Sequence, residues 1–392
     1  MKISSSSLLF ALALHSFTPK IITYAFASFQ PSTITSSRRI KHTAELIMES
    51  TTDNNEAEAT STITKLRISS PEVIQHDTFL LDMWGVMHDG IQAYDGVLQT
   101  VQELKAMGKK LIILSNSSKR RENSEKMLKK LGFNPNDFEN IITSGDISHT
   151  LLQNKAQSLG CANWEMISTL VERNQRKVFV FGSGDNDESY CTSAGWELSS
   201  VEEADLIVAR GTFTINDGKT VVSKTDNEDD YWKVMEAAMT IASQKKVPML
   251  VTNPDKVRPD ASRNPMPGSI GDTYERFLWC SHCPPTGEMT EEDARTYVKR
   301  IGKPFQEVYD IALNGSDASK AIMIGDALET DVTGGNAVGC STLWVVKNGI
   351  HNAEVEERGE EVVIDGFNSN SYATYAYGKQ IRPSYVADYF QW

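Results

Sequence analysis

The chain has 392 residues, of which 40% are hydrophobic, with 25 Gly and 13 Pro; this is the make-up of an ordinary globular protein with a sizeable core and room for two domains. The formal net charge is −13, yet residues 1–44 hold no Asp or Glu while carrying Lys2, Lys20, Arg38, Arg39 and Lys41, so the rest of the chain is more acidic still. A body this acidic repels phosphate backbones, which argues against nucleic acid as a partner. Any phosphate it binds must be met by a cation, a lysine or backbone N–H groups.

The first 48 residues read as an address. Leu8-Leu-Phe-Ala-Leu-Ala-Leu14 after Lys2 is too short to span a bilayer but suits a signal-peptide core. Ala25 and Ala27 offer a cleavage region. The stretch that follows is basic, acid-free and rich in Ser and Thr (Ser32, Thr33, Thr35, Ser36, Ser37, Arg38, Arg39), as organelle transit peptides are. Signal and transit segments in tandem resemble the bipartite presequences of algae with secondary plastids, and a plastid is the expected location. Secretion and a mitochondrial address are the rival readings. Residues 49–69 are polar and acidic and read as a disordered linker.

From about Ser70 strands alternate with helices, the mark of a parallel sheet covered by helices. Phe79-Leu80-Leu81 is a buried strand that ends on Asp82, with Gly85 and Gly90 in the loop beyond. Val97 to Met107 is an amphipathic helix stopped by Gly108. Leu111-Ile-Ile-Leu114 is a second buried strand, ending in Ser115-Asn116, and Glu122 to Leu131 a second helix. A further α/β unit then opens with Val178-Phe-Val-Phe181 and closes after Pro248-Met-Leu-Val251 at Thr252-Asn253-Pro254-Asp255. It reads as an insertion in the first unit. Gly302-Lys303-Pro304 follows, then the strand Ala321-Ile-Met-Ile324 running into Gly325-Asp326 and Asp331, and a last strand at Thr342–Val346. The tail aromatics Tyr372, Tyr375, Tyr377, Tyr385, Tyr389, Phe390 and Trp392 are expected to pack on the core or on a partner subunit; the sequence leaves a homo-oligomer open. No membrane-spanning helix is expected in the body. Cys280-Ser-His282-Cys283 is half of a zinc pattern, but no second Cys/His pair lies at ligand spacing, so free thiols are expected among the five cysteines.

The chemistry gathers at the strand ends. Asp82 and Asp326 are carboxylates suited to a hard divalent cation. Ser115 and Asn116 bring a hydroxyl, an amide and backbone N–H groups for phosphate oxygens, and Lys303 a point charge beside a nucleophilic carboxylate. Asp331 follows Asp326 at a distance from which a turn could return it to the lysine or to a metal-bound water. Each feature alone is commoner as a cap, a turn or a solvated side chain. In this order, they suggest attack by a carboxylate on phosphorus.

Leu81-Asp82-Met-Trp-Gly-Val86, Leu114-Ser115-Asn116, Gly302-Lys303-Pro304 and Gly325-Asp326 through Asp331 resemble the four motifs of the haloacid dehalogenase superfamily. Thr143-Ser-Gly-Asp146 and Thr252-Asn-Pro-Asp255 resemble the cap signatures of its subfamily IIA, a branch of capped phosphatases. The resemblance implies an α/β fold: a three-layer Rossmannoid core with a parallel sheet (70–144 and 271–392) and an inserted α/β cap (145–270). It implies Asp82 as nucleophile, with Ser115 and Lys303 gripping the phosphoryl group. Magnesium is implied between Asp82, the Trp84 carbonyl and Asp326, with Asp331 nearby, and Asn116, Asn253 and Asp255 on the substrate side. The implied activity is magnesium-dependent phosphatase action on a small phosphorylated metabolite.

One position departs from the family. The residue two after the nucleophile is usually a second Asp, which protonates the leaving alkoxide; here it is Trp84. Indole has only an N–H donor, and loss of a positioned general acid costs about 10²–10⁴ in rate. Weak turnover of alkyl phosphates is expected, and better turnover of aryl phosphates and anhydrides. His88 or Asp89 on the same loop could stand in, although His-Asp-Gly is more often a plain turn. The alternative is a phosphometabolite-binding or regulatory protein that has lost turnover.

Overall fold

The computed structural model describes residues 64–260, 262–282, 289–370 and 381–392. The expected presequence (1–48), most of the linker, Tyr372, Tyr375, Tyr377 and Cys283 lie outside the described residues.

The short apolar runs become strands because each is buried on both faces, which only a sheet covered on both sides allows. All four residues of β1 (Thr78–Leu81) are buried. Phe79 and Leu81 join one core with Ile113, Ile322 and Ile324, while Leu80 points to the other with Ile112, Leu114 and Met323. With β2 (Lys110–Ser115), β3 (Asn140–Thr143), β11 (Ala321–Gly325), β12 (Ser341–Val345) and β13 (Tyr385–Ala387), it forms a six-stranded sheet in the order β13-β12-β11-β1-β2-β3. Every pairing in it is parallel. The chain passes from β1 to β2 on one side, whereas β11 lies on the other. Such a reversal opens a crevice at the carboxyl ends of the strands.

Between β3 and β11 a second sheet is inserted: β4 (Lys177–Gly182), β5 (Glu197–Leu198), β6 (Leu206–Ala209), β7 (Thr214–Asn216), β8 (Val221–Ser223), β9 (Met249–Val251) and β10 (Val298–Arg300). Its order is β10-β9-β6-β4-β7-β8, with β5 on β4, and the helices Glu228–Lys245 and Pro267–His282 pack against one another beside it. The expected boundary at residue 270 is therefore corrected. Val298–Arg300 pairs in parallel with Met249–Val251, so the second sheet takes in residues 298–300 and the chain returns to the core at Ile301–Lys303.

The expected linker end also differs. Lys65 bridges Val386 at the sheet edge, and Ile68 is fully buried. Of the described tail aromatics, Phe390 is buried and Tyr385 and Trp392 pack on the core. No helix among the described residues is long and apolar enough to cross a membrane. His282 Nε2 sits 2.8 Å from the Ser243 carbonyl, an ordinary helix–helix contact.

Candidate active site

The carboxyl ends of β1, β2 and β11 converge on a cavity of about 690 Å³ closed from above by the inserted domain. Asp82 follows β1, its N–H donating to the Ile324 carbonyl (3.0 Å). Lys303 is buried, and its Nζ lies 2.7 Å from Asp82 Oδ1 and 2.6 Å from Asp331 Oδ1. Burial disfavours the ammonium, but Asp331 and Asp82 outweigh it and hold Lys303 protonated.

Asp331 reaches that point because the chain after β11 makes one widened helical turn, Leu328–Val332, in which the Ala327 carbonyl accepts from both Asp331 N and Val332 N (3.0 and 3.3 Å). Turns of this kind recur at functional sites. Asp331 Oδ2 accepts from Ala327 N (3.0 Å), fixing the carboxylate.

Asp82, Asp326 and Asp331 each place a carboxylate oxygen within 4.8 Å of the others. Burial, reinforced by Asp82 and Asp331, holds the Asp326 carboxyl well above the usual range, and burial pushes Asp331 up to about 7 against the pull of Lys303. Three carboxylates against one ammonium leave negative charge uncompensated, and the donors are all oxygen. The set fits a hard divalent cation. Gly85 has φ +81°, and a Cβ there would lie 2.3 Å from Asp326 Oδ2, so the loop beyond Asp82 follows the second acid closely.

Asn116 ties three segments together. Its Nδ2 donates to Asp255 Oδ1 (2.7 Å) and to the Lys303 carbonyl (3.0 Å), while its Oδ1 accepts from Lys303 N (2.7 Å). Gly302 makes this approach feasible: its φ is +136°, and a Cβ would meet Asn116 Oδ1 and Ser144 Oγ, each at 2.5 Å. Ser115 lines the cavity and its Oγ accepts from Ser117 N (3.3 Å). Asn253 and Asp255 line it from the inserted domain, but Asn253 Oδ1 is taken up by Asp255 N (2.8 Å), capping its own turn.

Trp84 also lines the cavity, with the Arg258 guanidinium 5.0 Å from its ring centroid. His88 is buried and its Nδ1 accepts from Gly90 N (2.8 Å). Asp89 Oδ1 accepts from Ile91 N and Gln92 N (both 2.8 Å), so Asp89 caps its own turn.

Five residues of this neighbourhood were not anticipated from sequence. Arg258 covers Trp84. Arg263 Nη1 donates to the Ile350 carbonyl (2.9 Å), and Ile350 N donates to Asp326 Oδ2 (2.8 Å), so one residue's backbone joins the inserted domain to the second acid. His351 Nε2 lies 3.0 Å from Glu329 Oε2, a cavity residue. Arg258, three residues beyond Asp255, had a positional signal; a backbone amide such as Ile350's has none.

A model described as haloacid dehalogenase-like hydrolase matches residues 79–197, and one described as HAD-hydrolase-like matches 300–391. The chain belongs to the haloacid dehalogenase-like hydrolases. It is 25% identical over 301 residues to phosphoglycolate phosphatase 2 of Arabidopsis thaliana, across 75% of this chain and 90% of that protein. It is 26% identical over 307 residues to the chloroplastic phosphoglycolate phosphatase 1A of the same plant, 76% of each. A putative NipSnap protein of Caenorhabditis elegans is 27% identical over 308 residues, of which the match spans 75% of this chain but only 53% of the relative. Among solved structures, a possible sugar phosphatase from Cytophaga hutchinsonii superposes with a TM-score of 0.55 at 18% identity, covering 84% of this chain and 99% of that one. That likeness speaks for the fold.

Proposed function

We propose that this hydrolase is a magnesium-dependent phosphatase of a small phosphorylated metabolite, working through an aspartyl-phosphate on Asp82. The observation that carries the reading is Lys303, whose ammonium lies 2.7 Å from the Asp82 carboxylate in a buried pocket at the strand ends. There it aims Asp82, and it remains to offset the charge of an incoming phosphoryl dianion. Ser115 and the N–H groups after β2 hold phosphoryl oxygens, and Asn116, Asn253 and Asp255 bound the substrate side. Asp82, the Trp84 carbonyl and Asp326 would hold magnesium, with Asp331 orienting Lys303; the ion would supply charge neutralisation at the phosphoryl oxygens. Asp82 Oδ attacks phosphorus as the P–O bond to the leaving group breaks, and water then releases phosphate and restores Asp82.

Trp84 gives no proton to the leaving group, so aryl phosphates and anhydrides are preferred over alkyl phosphates. Phosphate release from p-nitrophenyl phosphate, dependent on magnesium and abolished in Asp82→Asn, tests the reading. The same departure supports the second reading, a binding or regulatory protein on this scaffold: thermal protection by phosphometabolites without any release would favour it.

The relatives named chloroplastic support a plastid location beside the tandem presequence. A fluorescent protein fused behind residues 1–48 should enter plastids; export or mitochondrial import would refute this.

A further inference from the structure

Trp84 removes the family's proton donor, and the cavity leaves few replacements. His88 does not line it, and its Nδ1 is engaged by Gly90 N (2.8 Å). Asp89 is committed to its own turn. Asp185 stands at the exposed rim, paired with Lys119 at 3.3 Å. Glu329 would be raised by burial, but the His351 imidazolium outweighs that and brings it down to about 2, where it carries no proton.

Asp255 is different. It lines the same cavity as Asp82, and one of its oxygens is fixed by Asn116 Nδ2 at 2.7 Å, the amide that also grips the Lys303 backbone. Its own peptide is wedged against the helix Pro267–His282: a Cβ on Gly268 would lie 2.1 Å from the Pro254 carbonyl and 2.6 Å from that of Asp255. The carboxyl group of this cavity-lining residue therefore has a set position, with one oxygen bound by Asn116.

Resting on the phosphatase reading above, we infer that Asp255 is the general acid and base for whatever alkyl phosphate turnover this enzyme has. As Asp82 Oδ bonds to phosphorus and the P–O bond to the alkyl group breaks, the Asp255 carboxyl proton passes to the departing oxygen, giving the alcohol and an Asp255 carboxylate. Water then attacks phosphorus, its proton passes to that carboxylate, and the P–O bond to Asp82 breaks, releasing phosphate and restoring both acids. The groups facing Asp255 from the surrounding segments suit the task. Burial pushes it up to about 6; the Asn116 amide and Lys303 pull against this, while Asp82 and Glu329 add to it. A proton held that loosely near neutrality can be given and retaken.

The test uses the full chain and two substrates, glycerol phosphate and p-nitrophenyl phosphate, with Asp255→Asn, Asp255→Glu and Asp255→Asn combined with Trp84→Asp. In the first turnover, before water enters, Asp255→Asn should slow glycerol release from glycerol phosphate by about 10²-fold and nitrophenolate release from p-nitrophenyl phosphate by less than about threefold, because nitrophenolate leaves without a proton. Asp255→Glu should restore part of the glycerol phosphate rate. Once Trp84→Asp supplies a carboxyl beside the nucleophile, Asp255→Asn should no longer matter on either substrate. An equal loss of first-turnover release on both substrates at unchanged melting temperature would make Asp255 a positioning residue for Asn116 and overturn the inference, as would glycerol phosphate turnover that is absent in the wild type. If p-nitrophenyl phosphate is not turned over either, the phosphatase reading falls with it.

Discussion

The Arg258 guanidinium lies 5.0 Å from the ring centroid of Trp84, so a residue of the inserted domain rests on the position where the family's second aspartate would stand. An arginine over a half-buried indole contributes about 1 kcal/mol, enough to bias the two domains toward this arrangement but not to lock them. Trp84 thus exchanges proton transfer for a contact between domains. Trp84→Asp should raise kcat on glycerol phosphate by up to about 10², the part of a general acid's effect that Asp255 leaves unmet, while changing that on p-nitrophenyl phosphate far less. A rise of the same size on both substrates would mean that Trp84 limits access rather than chemistry.

Lys303 is buried against two carboxylates, at 2.7 and 2.6 Å. Removing one partner of a buried ion pair costs about 3–5 kcal/mol because the other charge is left without compensation. Lys303→Met should therefore abolish phosphate release and lower unfolding stability by about that amount in urea titrations. Lys303→Met combined with Asp331→Asn should regain part of the stability and none of the activity. If the single variant unfolds like the wild type, the ammonium does not balance these acids.

Gly85 offers a test of the second acid. A Cβ there would lie 2.3 Å from Asp326 Oδ2, on a backbone with φ +81° that disfavours any side chain. Asp326 carries an accepting bond from Ile350 N at 2.8 Å, so the carboxylate cannot retreat without losing it. Gly85→Ala should raise the magnesium concentration needed for half-maximal p-nitrophenyl phosphate hydrolysis by about tenfold or more, with the far-ultraviolet dichroism unchanged. An unaltered magnesium dependence would remove Asp326 from the cation's shell.

Much of this site was legible because its residues sit where apolar runs stop. Phe79–Leu81, Leu111–Leu114 and Ala321–Ile324 can only be strands covered on both faces, and the polar residue after each falls at a strand end whatever the details of the loops. The end of the insertion was not legible. Val298-Lys299-Arg300 reads as polar chain, and it is a strand only because Asp272 and Glu275, from the helix Pro267–His282, pair with the buried Arg300 at 2.8 and 2.5 Å. The β7–β8 hairpin carries a signal, Asp217-Gly218 between short β-branched runs. Ile350 takes part only through its carbonyl, to Arg263, and its N–H, to Asp326; every residue possesses these groups, so no pattern of side chains announces it.

The His351–Glu329 pair, 3.0 Å apart, gives the molecule a pH signature separate from the reaction. Burial would lower the His351 imidazolium, but Glu329 overrides it and holds it up at about 10. A histidine whose folded pKa lies above its unfolded value of about 6.5 stabilises the fold fully below that value, and loses the contribution as pH rises toward 10. Because Glu329 is half exposed, solvent screens the pair, and a contribution of about 1 kcal/mol is expected, or about 2–4 °C in melting temperature. His351→Gln should therefore melt below the wild type at pH 6, and the gap should narrow steadily between pH 7 and pH 10. A gap that stays constant across that range would show that His351 acts there through packing against Trp344, whose ring centroid is 5.9 Å away, and not through charge.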